Sequence, residues 1–99
     1  MITAIVLINT AQGRVPEVAQ ALIELPGVTE AYSVAGPYDL VAIVRVREHD
    51  DLADLVSGKI QKVPGIAATN TLIAFRAYSQ RSLEAMWDIG NEEVIRKDS

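Results

Sequence analysis

The sequence predicts an α+β domain of the ferredoxin-like class, with element order β-α-β-β-α-β. A four-stranded antiparallel sheet would carry both helices on one face. Three observations predict it. The chain repeats itself at an offset of 38 residues. Each repeat reads as a β-branched run, an amphipathic helix, a Pro-Gly turn and a second β-rich run. Two β-α-β units in series have one common solution, a single shared sheet.

The repeat rests on two anchors in one register. Thr3-Ala4-Ile5-Val6-Leu7-Ile8 falls on Val41-Ala42-Ile43-Val44-Arg45-Val46, and Leu25-Pro26-Gly27-Val28 falls on Val63-Pro64-Gly65-Ile66. Between the anchors Val18 meets Val56 and Leu22 meets Ile60, with no insertion or deletion.

The elements follow in order. A first strand is expected near 2–9. A helix near 14–25 carries Val15, Val18, Ala19, Leu22 and Ile23 at one-face spacing, with Pro16 in its first turn. Pro26 stops it and Gly27 permits the turn into a strand near 28–35. Ala35-Gly36-Pro37-Tyr38 then turns the chain into a strand near 39–47. A second helix near 50–62 carries Leu52, Leu55, Val56, Ile60 and Val63, with Asp50 and Asp51 placed to cap it and meet its dipole. Pro64 and Gly65 lead into the last strand, near 66–75. Residues 1–78 form one ligand-binding domain on this reading. Residues 79–99 form a C-terminal helix, capped by Ser82, carrying Leu83, Met86, Trp87 and Ile89 and ended by Gly90, followed by a polar tail.

The strands hold more apolar residues than one covered face requires. Ile2, Ala4, Val6 and Ile8 lie on one face of the first strand, yet Ile5 and Leu7 lie on the other. Leu40, Ala42, Val44 and Val46 are opposed by Val41 and Ile43 in the same way. A sheet wet on one side would alternate apolar and polar. The excess predicts a homodimer with the two sheets face to face. The C-terminal segment folded back over that face is the other solution.

Composition excludes several function classes. With 99 residues, 49% of them hydrophobic, the chain is one domain's worth. Its net charge of −4 argues against a domain that grips nucleic acid by itself. The apolar runs Ala4–Ile8 and Leu40–Val44 are far too short to span a membrane. Without cysteine there is no thiol chemistry, and one histidine, His49, makes neither a metal site nor a Ser-His-Asp set. No glycine-rich phosphate cradle is present. The expectation is a non-catalytic, cofactor-free protein of the cytoplasm.

One stretch is unusual: Ser33-Val34-Ala35-Gly36-Pro37-Tyr38-Asp39-Leu40. Gly36 and Pro37 can simply make the turn, with Tyr38 packed and Asp39 bonded back to loop amides. Equally, turn amides can hold a carboxylate and Asp39 an ammonium group. An α-amino acid offers both.

The run Gly36-Pro37-Tyr38-Asp39-Leu40-Val41, with Val63-Pro64-Gly65-Ile66 and Thr69-Asn70-Thr71, resembles the effector-binding (RAM) domain of the Lrp/AsnC family across about residues 1–78. The resemblance implies sheets paired in dimers, dimers assembled into octameric or decameric rings, and an amino acid effector held between dimers. It implies a ligand site at Val34, Ala35, Gly36, Tyr38, Asp39, Thr69 and Thr71. Family members carry a helix-turn-helix domain ahead of this one. With a first strand starting at Ile2, the expectation is a stand-alone form that acts on transcription through a full-length family regulator, without touching DNA or membrane. A dimeric α+β-barrel enzyme, such as a small monooxygenase or isomerase, is the main alternative. An ACT-like module joined edge to edge and a purely structural ring are two others.

Overall fold

Six elements and one short 3₁₀ turn follow each other in a computed structural model that describes residues 1–78 and 80. They are β1 (Ile2–Thr10), α1 (Val15–Ile23), β2 (Val28–Ser33), β3 (Leu40–Val46), α2 (His49–Gly58), a 3₁₀ turn (Ile60–Lys62) and β4 (Ile66–Ala74). The strands form one antiparallel sheet in the order β2-β3-β1-β4. The β-α-β-β-α-β order and the four-stranded antiparallel sheet are those expected. The expected C-terminal helix lies outside the described residues.

Both helices pack on one side of the sheet. That side contributes Ala4, Val6 and Ile8 from β1 and Leu40, Ala42 and Val44 from β3, all fully buried. Val18 and Leu22 of α1, and Leu52, Leu55 and Val56 of α2, close the core from above. Ile60 is buried too, but on the 3₁₀ turn rather than on α2. The expected second helix near 50–62 therefore ends early, at Gly58, and tightens its last turn. Burying a large aliphatic side chain is worth about 1.5–3 kcal/mol. The side-chain hydrogen bonds of the fold are exposed or half-buried, so apolar burial decides its stability.

The cap of α2 differs from expectation. The helix begins at His49, with Glu48 at the N-cap position in extended conformation. Asp51, not Asp50, makes the capping contact: its carboxylate accepts the Glu48 N–H at 3.2 Å. An acidic residue at the third helical position reaches back to the cap residue, as in a capping box.

The repeat also governs the two Pro-Gly turns. Gly27 and Gly65 have φ of +101° and +99°. A Cβ on Gly27 would lie 2.9 Å from Leu55 Cδ2, and one on Gly65 would lie 2.9 Å from Val18 Cγ2. Each turn thus presses against the helix of the other repeat. Their carbonyls cross over as well: Arg45 N–H donates to Gly27 at 2.8 Å and Ala11 N–H to Gly65 at 2.7 Å.

A register shift follows each turn. Val28 pairs with Val44 but Glu30 pairs with Ile43, so Thr29 is an extra residue in β2. Ala68 pairs with Asn9 but Ile66 pairs with Thr10, so Ala67 is an extra residue in β4. The two bulges occupy equivalent positions of the repeat. A bulge moves all later side chains to the opposite face. Val28 and Ile66 therefore pack on the core, while Glu30, Tyr32, Ala68 and Asn70 turn to the helix-free face. There they join Ile5, Leu7, Val41 and Ile43, which are half-buried, and Leu72, which is 48% exposed. This is the second apolar face that the strand composition requires.

Candidate functional site

The loop between β2 and β3 is tied down at its base by backbone and side chain together. Asp39 N–H donates to Ile8 O at 2.9 Å, and Val34 N–H donates to Asp39 O at 3.1 Å. The Asp39 carboxylate then accepts, through Oδ2, the Thr10 N–H at 2.8 Å and the Thr10 hydroxyl at 3.3 Å. A side chain here serves as acceptor where the β1–β3 ladder has ended at Ile8 and Leu40. One carboxylate oxygen is thus committed to the fold. The other, Oδ1, accepts no hydrogen bond among the described residues.

The loop's amides divide the same way. Val34 and Asp39 have spent theirs, and Pro37 has none. Ala35, Gly36 and Tyr38 keep N–H groups that enter no backbone hydrogen bond among the described residues. Gly36 has φ +137°, a conformation that L side chains rarely adopt, and open space where a Cβ would stand. Val34 to Pro37 are exposed, and Tyr38 and Asp39 are half-buried. Asp39 does bond back to a backbone amide, that of Thr10, while the amides of Ala35, Gly36 and Tyr38 make no backbone hydrogen bond among the described residues.

Tyr38 reaches β4 through a residue that sequence reasoning missed. Asn70 Nδ2 donates to the Tyr38 hydroxyl at 3.3 Å, on the helix-free face. The only signal was its place between Thr69 and Thr71, which pointed attention to the threonines. Those two share a face, as their spacing of two requires, but it is the helix side. Thr69 Oγ1 accepts from Gln61 Nε2 at 3.2 Å. It also lines an open cavity of about 380 Å³ with Gln61, Ile66, Ala67 and Ala68. Within one chain the structure brings Val34, Ala35, Gly36, Tyr38 and Asp39 together in the loop. It places Thr69 and Thr71 across the sheet from Asn70, with no hydrogen bond to the loop among the described residues.

The electrostatics of the helix-free face are set at its β2 edge. Tyr32 donates its hydroxyl to Glu30 Oε2 at 2.6 Å. That hydrogen bond, and the negative charge of Glu30, raise the Tyr32 phenol above the usual tyrosine value. His49 is exposed at the start of α2, as expected of a junction residue. Among the described residues no cluster of His, Cys, Asp or Glu could hold a metal ion, and no helix is long and apolar enough to cross a membrane.

Comparison with known proteins places this geometry. Residues 3–83 match the model of the Lrp/AsnC ligand binding domain. The HTH-type transcriptional regulator FL11 of Pyrococcus horikoshii is 29% identical over 77 residues, which is 78% of this chain and 50% of that protein. The chain thus spans about half the length of the curated relatives it matches. The crystal structure of TTHA0845 from Thermus thermophilus superposes with a TM-score of 0.76 at 50% identity, covering 81% of this chain and 100% of that one. The feast or famine regulatory protein of M. tuberculosis, solved in complex with L-methionine, gives a TM-score of 0.66 at 28% identity, covering 82% of this chain and 55% of that one. Its relatives are transcriptional regulators, its fold is theirs, and this chain belongs to the Lrp/AsnC family through its ligand-binding domain.

Proposed function

We propose that this chain is a non-catalytic amino acid sensor of the Lrp/AsnC type. The observation that carries the proposal is the divided commitment of Asp39. One oxygen is fixed by Thr10, which holds the carboxylate rigidly. The other is left for a donor, in the same loop as the unspent amides of Ala35, Gly36 and Tyr38. The amino group of an α-amino acid would bond Asp39 Oδ1 in a charge-assisted contact, and its carboxylate would lie against the loop amides. The complex of the M. tuberculosis relative with L-methionine supports this ligand class.

Thr69 and Thr71 enter the proposal as hydroxyl donors from a neighbouring subunit, since their own chain turns them to the opposite face from Tyr38 and Asn70. Two copies pair through Ile5, Leu7, Val41, Ile43 and Leu72, and dimers join into a ring with the ligand between them. Ligand then shifts the ring or its affinity for a partner by the difference in its affinity for the two states. The partner is a full-length family regulator that shares the same interfaces, so this domain acts on transcription without contacting DNA. The kinship with transcriptional regulators weighs for a sensor over a barrel enzyme.

Native mass spectrometry of the protein with a panel of free amino acids tests the reading. A ring of dimers taking up about one amino acid per subunit, lost in Asp39→Asn, is the expected outcome. A bare dimer with no uptake overturns it.

A further inference from the structure

At the end of the sheet away from the loop, the helix-free face closes on a row of Arg45, Thr3 and Ala74, one residue each from β3, β1 and β4. With Met1, Phe75 and Arg76 this row lines an open cavity of about 280 Å³. Phe75 is 97% exposed and Met1 84% exposed. The Arg45 backbone N–H donates to the Gly27 carbonyl at 2.8 Å, which fixes the root of that side chain. Neither guanidinium enters a side-chain hydrogen bond among the described residues.

The repeat accounts for where this cavity lies. β4 ends against the start of β1 as β2 ends against the start of β3. At the offset of 38 residues, Ala74, Phe75 and Arg76 fall on Gly36, Pro37 and Tyr38, and Met1 falls on Asp39. The second half of the repeat therefore builds this cavity where the first half builds the loop. The charge is reversed. Met1 stands in the place of the Asp39 carboxylate, Arg76 in the place of Tyr38, and Arg45 in the place of the apolar Leu7.

We propose that the cavity is a second ligand site, one that takes a phosphate monoester with an aromatic or other apolar body. A guanidinium offers an oxyanion a planar fork of donors, and two of them answer a double negative charge. A phosphate monoester carries about −1.5 to −2 at pH 7, which a single carboxylate does not. The Thr3 hydroxyl is a further donor, and Phe75 and Met1 give the body of the ligand an apolar wall. The site stands roughly 20 Å from Asp39, because β1 rises about 3.3 Å per residue between Thr3 and Thr10. It rests on the repeat and the cavity, and not on the amino acid reading of the loop.

Phenyl phosphate is expected to bind the full chain saturably in a calorimetric titration, with amide shifts by NMR centred on Thr3, Arg45 and Arg76. Arg45→Gln and Arg76→Gln are each expected to weaken it about ten- to hundredfold, the loss of a charge-assisted hydrogen bond. Both side chains are exposed, so the fold survives either change. Phe75→Ser is expected to weaken phenyl phosphate while leaving inorganic phosphate unmoved, and benzoate is expected to bind more weakly than phenyl phosphate. The proposal is overturned by an absence of saturable uptake, by uptake that either arginine variant leaves intact, or by amide shifts centred elsewhere. Full affinity for phenyl phosphate in Phe75→Ser, or benzoate bound as tightly, overturns it too. Amino acid uptake is titrated separately on the same protein, so failure at the loop and failure at this cavity are told apart.

Discussion

Asp39 accepts the backbone N–H of Thr10 at 2.8 Å across 29 residues of sequence, and so closes the end of the β1–β3 ladder with a side chain. The structural role of this carboxylate and its proposed role in ligand binding can be tested separately.

Asp39→Asn keeps an oxygen for Thr10 and removes the charge. It is expected to melt within a few degrees of the unmutated protein and to lose amino acid uptake. Asp39→Ala leaves the Thr10 N–H without its acceptor and is expected to lose about 1–2 kcal/mol in addition. Thermal melts with a binding titration on both variants make the check. Equal loss of stability in both would show that the charge, not the acceptor, holds the strand end.

Gly27→Ala is expected to cost about 2–4 kcal/mol, from backbone strain at φ +101° and a Cβ 2.9 Å from Leu55 Cδ2. Gly36→Ala has the strain without the contact, and about 1–2 kcal/mol is expected there. Urea midpoints of the two variants, compared at constant m-value, separate the two contributions.

Ile60→Ala should cost about 2–5 kcal/mol, since the side chain is fully buried on the 3₁₀ turn. Ile23→Ala, half-exposed on α1, should cost under about 1 kcal/mol. Denaturant unfolding distinguishes them, and equal losses would contradict the assigned core.

The repeat, the strands and the helix stripes were legible because each is a local pattern of period two or near 3.6. The two bulges were not. By simple alternation Val28, Glu30 and Tyr32 share a face, and only pairing with Ile43 shows that Thr29 breaks the count. The same blindness hid Asn70. Its partnership with Tyr38 spans 32 residues and depends on the bulge at Ala67. Asp39 was visible as a loop carboxylate, but its hold on Thr10 needs the sheet register, which no local pattern contains.

Leu7→Glu places a charge in the centre of the helix-free face while leaving the helix-side core intact. It is expected to yield a folded monomer by sedimentation, with an unchanged far-ultraviolet circular dichroism spectrum. A dimer that survives this change would place the interface elsewhere.

Tyr32 is expected to ionise above the usual tyrosine range, because its proton is held by Glu30. The raised value means that this contact favours the folded state below the ordinary tyrosine pKa, an advantage lost as pH climbs through the raised value. Glu30→Gln removes the charge and should lower the midpoint in a spectrophotometric titration.

The two bulged strands, β2 and β4, are also the two outermost strands of the sheet. An outer strand with a regular ladder is a template for further strands and, in the limit, for fibrils. Here the irregularity sits at both margins at once, at Thr29 and Ala67, so neither outer strand offers an unbroken ladder along its whole length. A kink repeated at equivalent positions of the two halves thus works against edge-to-edge, amyloid-like growth at both rims of the sheet.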